Sequence, residues 1–98
     1  MNDLAEKEFL EYKGRPLVRK GNEIYYGNSS EKFVIAMRVL TNKTVGGEEI
    51  ADKIAIQLLA TDATLPPQER IVKTSEKNGL YNALDIASIW LERALKKQ

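Results

Sequence analysis

The sequence predicts an α+β domain: an antiparallel sheet of about four strands, running as a meander, with a long C-terminal helix packed on one face. Three observations predict it. Short runs rich in β-branched and aromatic residues fill the first forty or so positions, divided by Gly and Asn turns. Phe33 to Leu40 places apolar residues on both faces of a period-two pattern. Residues 78–96 then repeat apolar side chains at helical spacing. The chain has 98 residues, 43% of them apolar, which suits one domain over 1–98 with one two-layer core.

Taken in order, Glu8 to Tyr12 and Leu17 to Lys20 are short extended candidates separated by Gly14 and Pro16. Proline gives no N–H to a ladder, so Pro16 points to an edge position or a bulge. Leu17-Val-Arg-Lys, Gly21-Asn22 and Glu23-Ile-Tyr-Tyr read as a tight hairpin, because Gly accepts the positive φ of a two-residue turn. After the polar Gly27-Asn-Ser-Ser, Phe33 to Leu40 is the most strand-like run. Phe33, Ile35, Met37 and Val39 share one face, and Val34, Ala36, Arg38 and Leu40 the other. Two largely apolar faces predict a central strand, covered on one side and partly shielded on the other.

Glu48 to Thr61 admits two readings. With period two, Ile54, Ile56 and Leu58 share a face against Lys53, Ala55 and Gln57. With period 3.6, Ile50, Ala51, Ile54, Ala55, Leu58 and Leu59 form a stripe that leaves Ile56 outside. The strand is favoured over a second helix, and Asn42-Lys-Thr-Val-Gly-Gly offers a hairpin connection. Asp62 to Pro67 reads as a loop, with Pro66-Pro67 opening one helical turn through Gln68-Glu-Arg. The last element is a helix from about Asn78 to Lys96, with Leu80, Leu84, Ala87, Leu91 and Ala94 or Leu95 inward. Ser75 or Asn78 is the expected cap, and Lys96-Lys97 suit the C-terminal dipole. Ala83, Ile86, Trp90 and Tyr81 widen its apolar arc beyond what one sheet contact demands, leaving Asn82, Asp85, Ser88, Ile89, Glu92 and Arg93 outside it.

Composition narrows the function classes. Fifteen Lys and Arg against fourteen Asp and Glu give a net charge of +1, without the basic excess of a phosphate-neutralising protein. There is no Cys and no His. Disulfides, thiolate sites and Cys nucleophiles are excluded, and the usual proton shuttle near neutral pH is missing. No EF-hand or phosphate-binding fingerprint is present, so neither a metal nor a cofactor is expected. Glu48, Glu49 and Asp52, or Asp85 and Glu92, stand without a nucleophile beside them, which argues against catalysis. Met1 to Glu8 lacks an apolar signal region and no apolar run approaches a membrane span, so a cytoplasmic location without membrane contact is expected.

Three constellations remain. Tyr12, Lys13, Arg15, Arg19, Lys20, Tyr25 and Tyr26 combine cations with rings, the chemistry that single-stranded nucleic acid needs. The competing explanation is that tyrosines favour strands and that Lys and Arg guard sheet edges. Lys77, Asn78 and Gly79, at the start of the helix, are a candidate anion site, against the commoner explanation of an ordinary cap. Ile86, Ile89 and Trp90 are a candidate surface for another chain, against the simpler explanation that the arc collects loops and the N-terminal segment.

Two stretches, Tyr12-Lys-Gly-Arg-Pro-Leu-Val-Arg-Lys-Gly-Asn-Glu-Ile-Tyr-Tyr-Gly27 and Glu76-Lys-Asn-Gly-Leu-Tyr-Asn-Ala-Leu-Asp-Ile-Ala-Ser-Ile-Trp-Leu-Glu-Arg-Ala-Leu95, together resemble a family of small uncharacterised bacterial proteins of about this length. The resemblance covers nearly the whole chain. It implies a free-standing bacterial cytoplasmic protein and tilts Asp52 to Thr61 towards strand. The family has no assigned function, so no site residue is carried over from it.

The expectation from sequence is therefore a small non-catalytic protein-interaction module whose partner is another protein or a second copy of itself. A single-stranded nucleic-acid module on the Tyr and Arg hairpin is the alternative, and a small-anion sensor at the helix start a third.

Overall fold

The computed structural model describes residues 7–96, with side chains from Leu10 onward. Six strands form one antiparallel sheet: β1 (Lys7–Tyr12), β2 (Arg15–Lys20), β3 (Glu23–Tyr26), β4 (Phe33–Val39), β7 (Lys53–Ala60) and β8 (Ile71–Asn78). They lie in that order, each beside its predecessor. Between β4 and β7 the chain leaves the sheet to form a separate hairpin, β5 (Asn42–Val45) and β6 (Glu48–Ala51). One helical turn, α1 (Pro67–Arg70), leads into β8, and α2 (Leu80–Lys96) lies across one face. The α+β meander with a covering helix stands, but the sheet has six strands rather than about four.

The register explains the core. Leu17, Tyr26, Ile35 and Leu58 pair in sequence across β2, β3, β4 and β7, so all four point to the helix side. The neighbouring row Ile24, Met37, Ile56 does the same. All seven are buried, together with Val39 and Ile54. The helix contributes Ala83, Leu84, Ala87 and Leu91. Two alanines at the contact let the helix approach closely, and the leucines fill the space between strand residues. Ser88, expected outside the apolar arc, is also buried; its hydroxyl donates to the Asp85 carbonyl at 2.8 Å, which satisfies it locally.

Several local readings resolve simply. Gly21 and Asn22 make the β2–β3 turn, with Gly21 at φ +59°. Residues 53–60 form a strand, with Ile54, Ile56 and Leu58 inward, because helix formation would expose Ile56. Gly46 and Gly47, at φ +60° and +83°, close the β5–β6 hairpin. Pro16, however, is on an internal strand and not at an edge or bulge. Its carbonyl accepts from the Gly27 N–H at 2.9 Å, just past the end of β3 at Tyr26, so its backbone groups face the β3 side and the N–H it lacks removes no bond of the β1–β2 ladder. Asp62 accepts from the Thr64 hydroxyl (2.7 Å) and N–H (2.9 Å), which tighten the turn before α1 and hold its carboxyl below the usual range.

The largest departure from the sequence reading is β8. The sequence reading assigns no strand to residues 71–78 and uses Ser75 or Asn78 as a helix cap, yet these residues form the edge strand beside β7. Their helix-side positions carry Lys73, Ser75 and Lys77 rather than apolar residues, and α2 still packs beside them, with Lys73 Nζ 5.3 Å from the centre of the Trp90 ring. The strand ends at Gly79, at φ +89°, whose N–H donates to the Asp52 carbonyl at 2.7 Å. Neither Ser75 nor Asn78 caps α2, which begins at Leu80. Met1 to Glu6 and Lys97 lie outside the described residues.

Candidate functional site

Strand alternation separates the ring-and-cation constellation. Tyr12, Arg15, Arg19 and Tyr26 lie on the helix side of the sheet, whereas Lys20 and Tyr25 lie on the opposite face. Tyr26 is fully buried, its ring edge-on to Tyr12 at 5.8 Å, and its hydroxyl donates to the Tyr12 carbonyl at 3.0 Å. Burial raises its phenol above the ordinary range, with Arg15 pulling the other way. A ring so enclosed cannot stack on a base, and Tyr25 is left as a single exposed ring. Removing the Tyr26 hydroxyl tests this structural role: Tyr26→Phe is expected to cost about 1 kcal/mol by leaving the carbonyl unpaired. A melting temperature unchanged by that substitution would show that the bond is dispensable.

At the start of α2, one of the candidate anion residues, Asn78, meets a carboxylate. Asn78 Nδ2 donates to Asp52 Oδ1 at 3.2 Å, and Lys43 Nζ lies 3.9 Å from the same oxygen. Asn82 Nδ2 donates to the Asn78 carbonyl at 2.8 Å. The Asp52 carboxylate already complements the positive end of the helix, and its charge repels a second anion there. On the helix itself, Ile86 and Trp90 pack on the flank of the core and Ile89 is half-buried. Tyr81, which the sequence reading placed within the apolar arc, stands 86% exposed near the β5–β6 hairpin.

The face of the sheet away from α2 is the surface that sequence reasoning named only in part. No helix of the described residues covers it. Its central rows are Val18, Tyr25, Ala36 and Gln57, and then Val34 beside Leu59. The next row holds Lys20, Glu23, Arg38, Ala55 and Glu76, with Arg38 Nη2 2.9 Å from Glu23 Oε2. Polar residues therefore rim an apolar middle. Tyr25, 48% exposed and with its hydroxyl 3.4 Å from Glu23 Oε1, lies between two hollows and lines both. One, of about 430 Å³, is floored by Ala36, Ala55 and Leu59; the other, of about 420 Å³, by Pro16, Val18 and Val34. The signal was available in the apolar second face of Phe33 to Leu40, but its continuation across β2, β3 and β7 required the register.

A third hollow of about 460 Å³ lies on the helix side, between the C-terminal half of α2 and the edge formed by β8. Trp90, Phe33, Leu58, Val72 and Ala94 line it, with Lys32, Lys73 and Arg93 around them.

The described residues hold no group of three or more Asp or Glu placed to bind a metal ion, and no helix among them is long and apolar enough to cross a membrane. Comparison with protein-family models, with curated proteins and with solved structures finds no match to this chain.

Proposed function

We propose that this protein is a small non-catalytic interaction module that pairs with a second copy of itself through the open face of its sheet. The observation that carries this reading is Tyr25, set between two hollows on a face that no helix among the described residues covers. An exposed ring beside hollows suits an isologous pairing, in which each copy's ring enters the other's hollow. Aromatic anchors of this kind, surrounded by a polar rim, concentrate binding energy.

The size of the face agrees. Six strands at about 4.8 Å spacing, each contributing about seven residues at about 3.3 Å, make a surface of about 24 by 23 Å. That is about 550 Å² before side-chain relief, which raises it towards the ~800 Å² per partner of a stable interface. The rim carries both signs, Lys20 and Arg38 with Glu23 and Glu76, so two copies can meet without a net like-charge contact. The absence of His and Cys from the chain removes the residues that most often supply general-base and nucleophilic catalysis and supports a non-catalytic role.

Light scattering over a concentration series is the direct test. The expected mass is twice the 11.1 kDa of the chain, falling to one chain in Ala36→Arg, which places a long cation on the floor of a hollow. A wild-type protein that stays monomeric at every concentration, or an Ala36→Arg protein that still dimerises, overturns the reading.

A further inference from the structure

We propose that the cleft beside Trp90 is a binding site for a small organic anion with an apolar body, such as an alkyl or aryl chain ending in a carboxylate or phosphate. The site lies on the opposite side of the sheet from the pairing face and does not depend on it.

The cleft is formed by a break in strand regularity. Along β8, Lys73 pairs with Leu58 and Ile71 with Leu59, which leaves Val72 as an extra residue without a partner. In an unbroken strand Val72 and Lys73 would point to opposite faces. The bulge ends that alternation, and both side chains line the same cleft. The floor is apolar: Trp90, Phe33 and Leu58 close it from α2, β4 and β7. Val72, 52% exposed, leaves part of that apolar surface open to water.

The rim has one sign. Lys32, Lys73 and Arg93 surround the cleft and no carboxylate lines it. Among the described residues, none of these three cations lies within ion-pair distance of an Asp or Glu; the pairs that form use Lys13, Arg38 and Lys43. Lys73 Nζ instead sits 5.3 Å from the centre of the Trp90 ring, which holds a cation directly over the apolar floor. In a chain of net charge +1, three cations around one apolar hollow are a local concentration of positive charge. Charge and shape together select the ligand: a carboxylate or phosphate among the cations and an apolar body against Trp90, Phe33 and Val72. A volume of about 460 Å³ lies in the range of small-molecule sites, roughly 300–1,000 Å³.

Trp90 is the only tryptophan, so its emission reports on the cleft. The full chain is titrated with decanoate below its micelle concentration, with decanol and with inorganic phosphate. Decanoate is expected to shift Trp90 emission saturably, and to move the amide resonances of Phe33, Val72 and Ala94. Decanol, which lacks the charge, and phosphate, which lacks the apolar body, are expected to bind at least about tenfold more weakly. Lys32→Glu with Arg93→Glu, at exposed positions and with the fold checked by circular dichroism, is expected to weaken decanoate binding by at least about tenfold. Ala36→Arg, on the other side of the sheet, is expected to leave it unchanged, so failure of the pairing and failure of this site are distinguishable. Equal binding of decanol, affinity retained in the double reversal, or no saturable response in either emission or amide shifts each overturns the proposal.

Discussion

Gly27→Ala is expected to destabilise the protein by about 3 kcal/mol, a fall of roughly 12–24 °C in melting temperature for a domain of this size. Two causes act together. Gly27 sits at φ +113°, a conformation that side-chain-bearing residues adopt only under strain of about 1–3 kcal/mol. A Cβ placed there would also lie 2.9 Å from Leu91 Cδ2. Leu91 is fully buried and helps to seat α2 on the sheet, so it has little room to yield. Overpacking of this kind typically costs about 1–3 kcal/mol. Gly21→Ala is a comparison that lacks the clash and has the milder left-handed backbone, at φ +59°. Gly21 also has positive φ, but nothing lies within 4 Å of the added carbon. Thermal unfolding should therefore show a much smaller loss there; equal losses at the two positions would mean that the approach of Leu91 contributes nothing.

Leu91→Ala is expected to cost about 2–5 kcal/mol, the usual range for emptying a fully buried leucine site. The position is demanding because α2 is the only long helix over the described sheet, and with two alanines also at its contact, its leucines supply much of the volume there. The two substitutions should not be additive. With Leu91 removed, the Cβ of alanine at position 27 meets no Cδ2, so the double variant should be more stable than the sum predicts by about 1 kcal/mol. Chemical denaturation of the four proteins of the cycle measures this directly. Simple additivity would place the cost of Gly27→Ala entirely in the backbone.

These two effects show why the fold could be read further than the surfaces. Leu91 was recognisable as inward from its place in a helical stripe, and Gly27 as part of a polar break. That the two touch is a fact about the crossing of α2 over the end of β3. The ring-and-cation group is divided between two faces for a reason already present in the chain: Tyr25 and Tyr26 are consecutive, and consecutive strand residues face opposite ways. Tyr25 went to the open face, where it lies between two hollows, and Tyr26 to the core. Trp90 was correctly singled out as lying at the side of the helix stripe. Its surroundings depend on β8, which has β-branched Ile71, Val72 and Thr74 but no apolar alternation to announce it.

Local patterning by itself determined the elements whose turns demand special backbone angles or whose apolar residues fit only one period: the Gly21-Asn22 hairpin, β4 and α2, whereas β7 stayed open between strand and helix. In those segments the inward residues recur at the period of the structure, and burial of that stripe outweighs any competing conformation. The tertiary structure alone decided which strands became edges, which rows joined into the open face, and where a bulge at Val72 turned two neighbouring side chains into one cleft. Those features arise from register between segments distant in the chain, and register is set when whole faces are buried together, a cooperative choice that no short stretch of sequence makes alone.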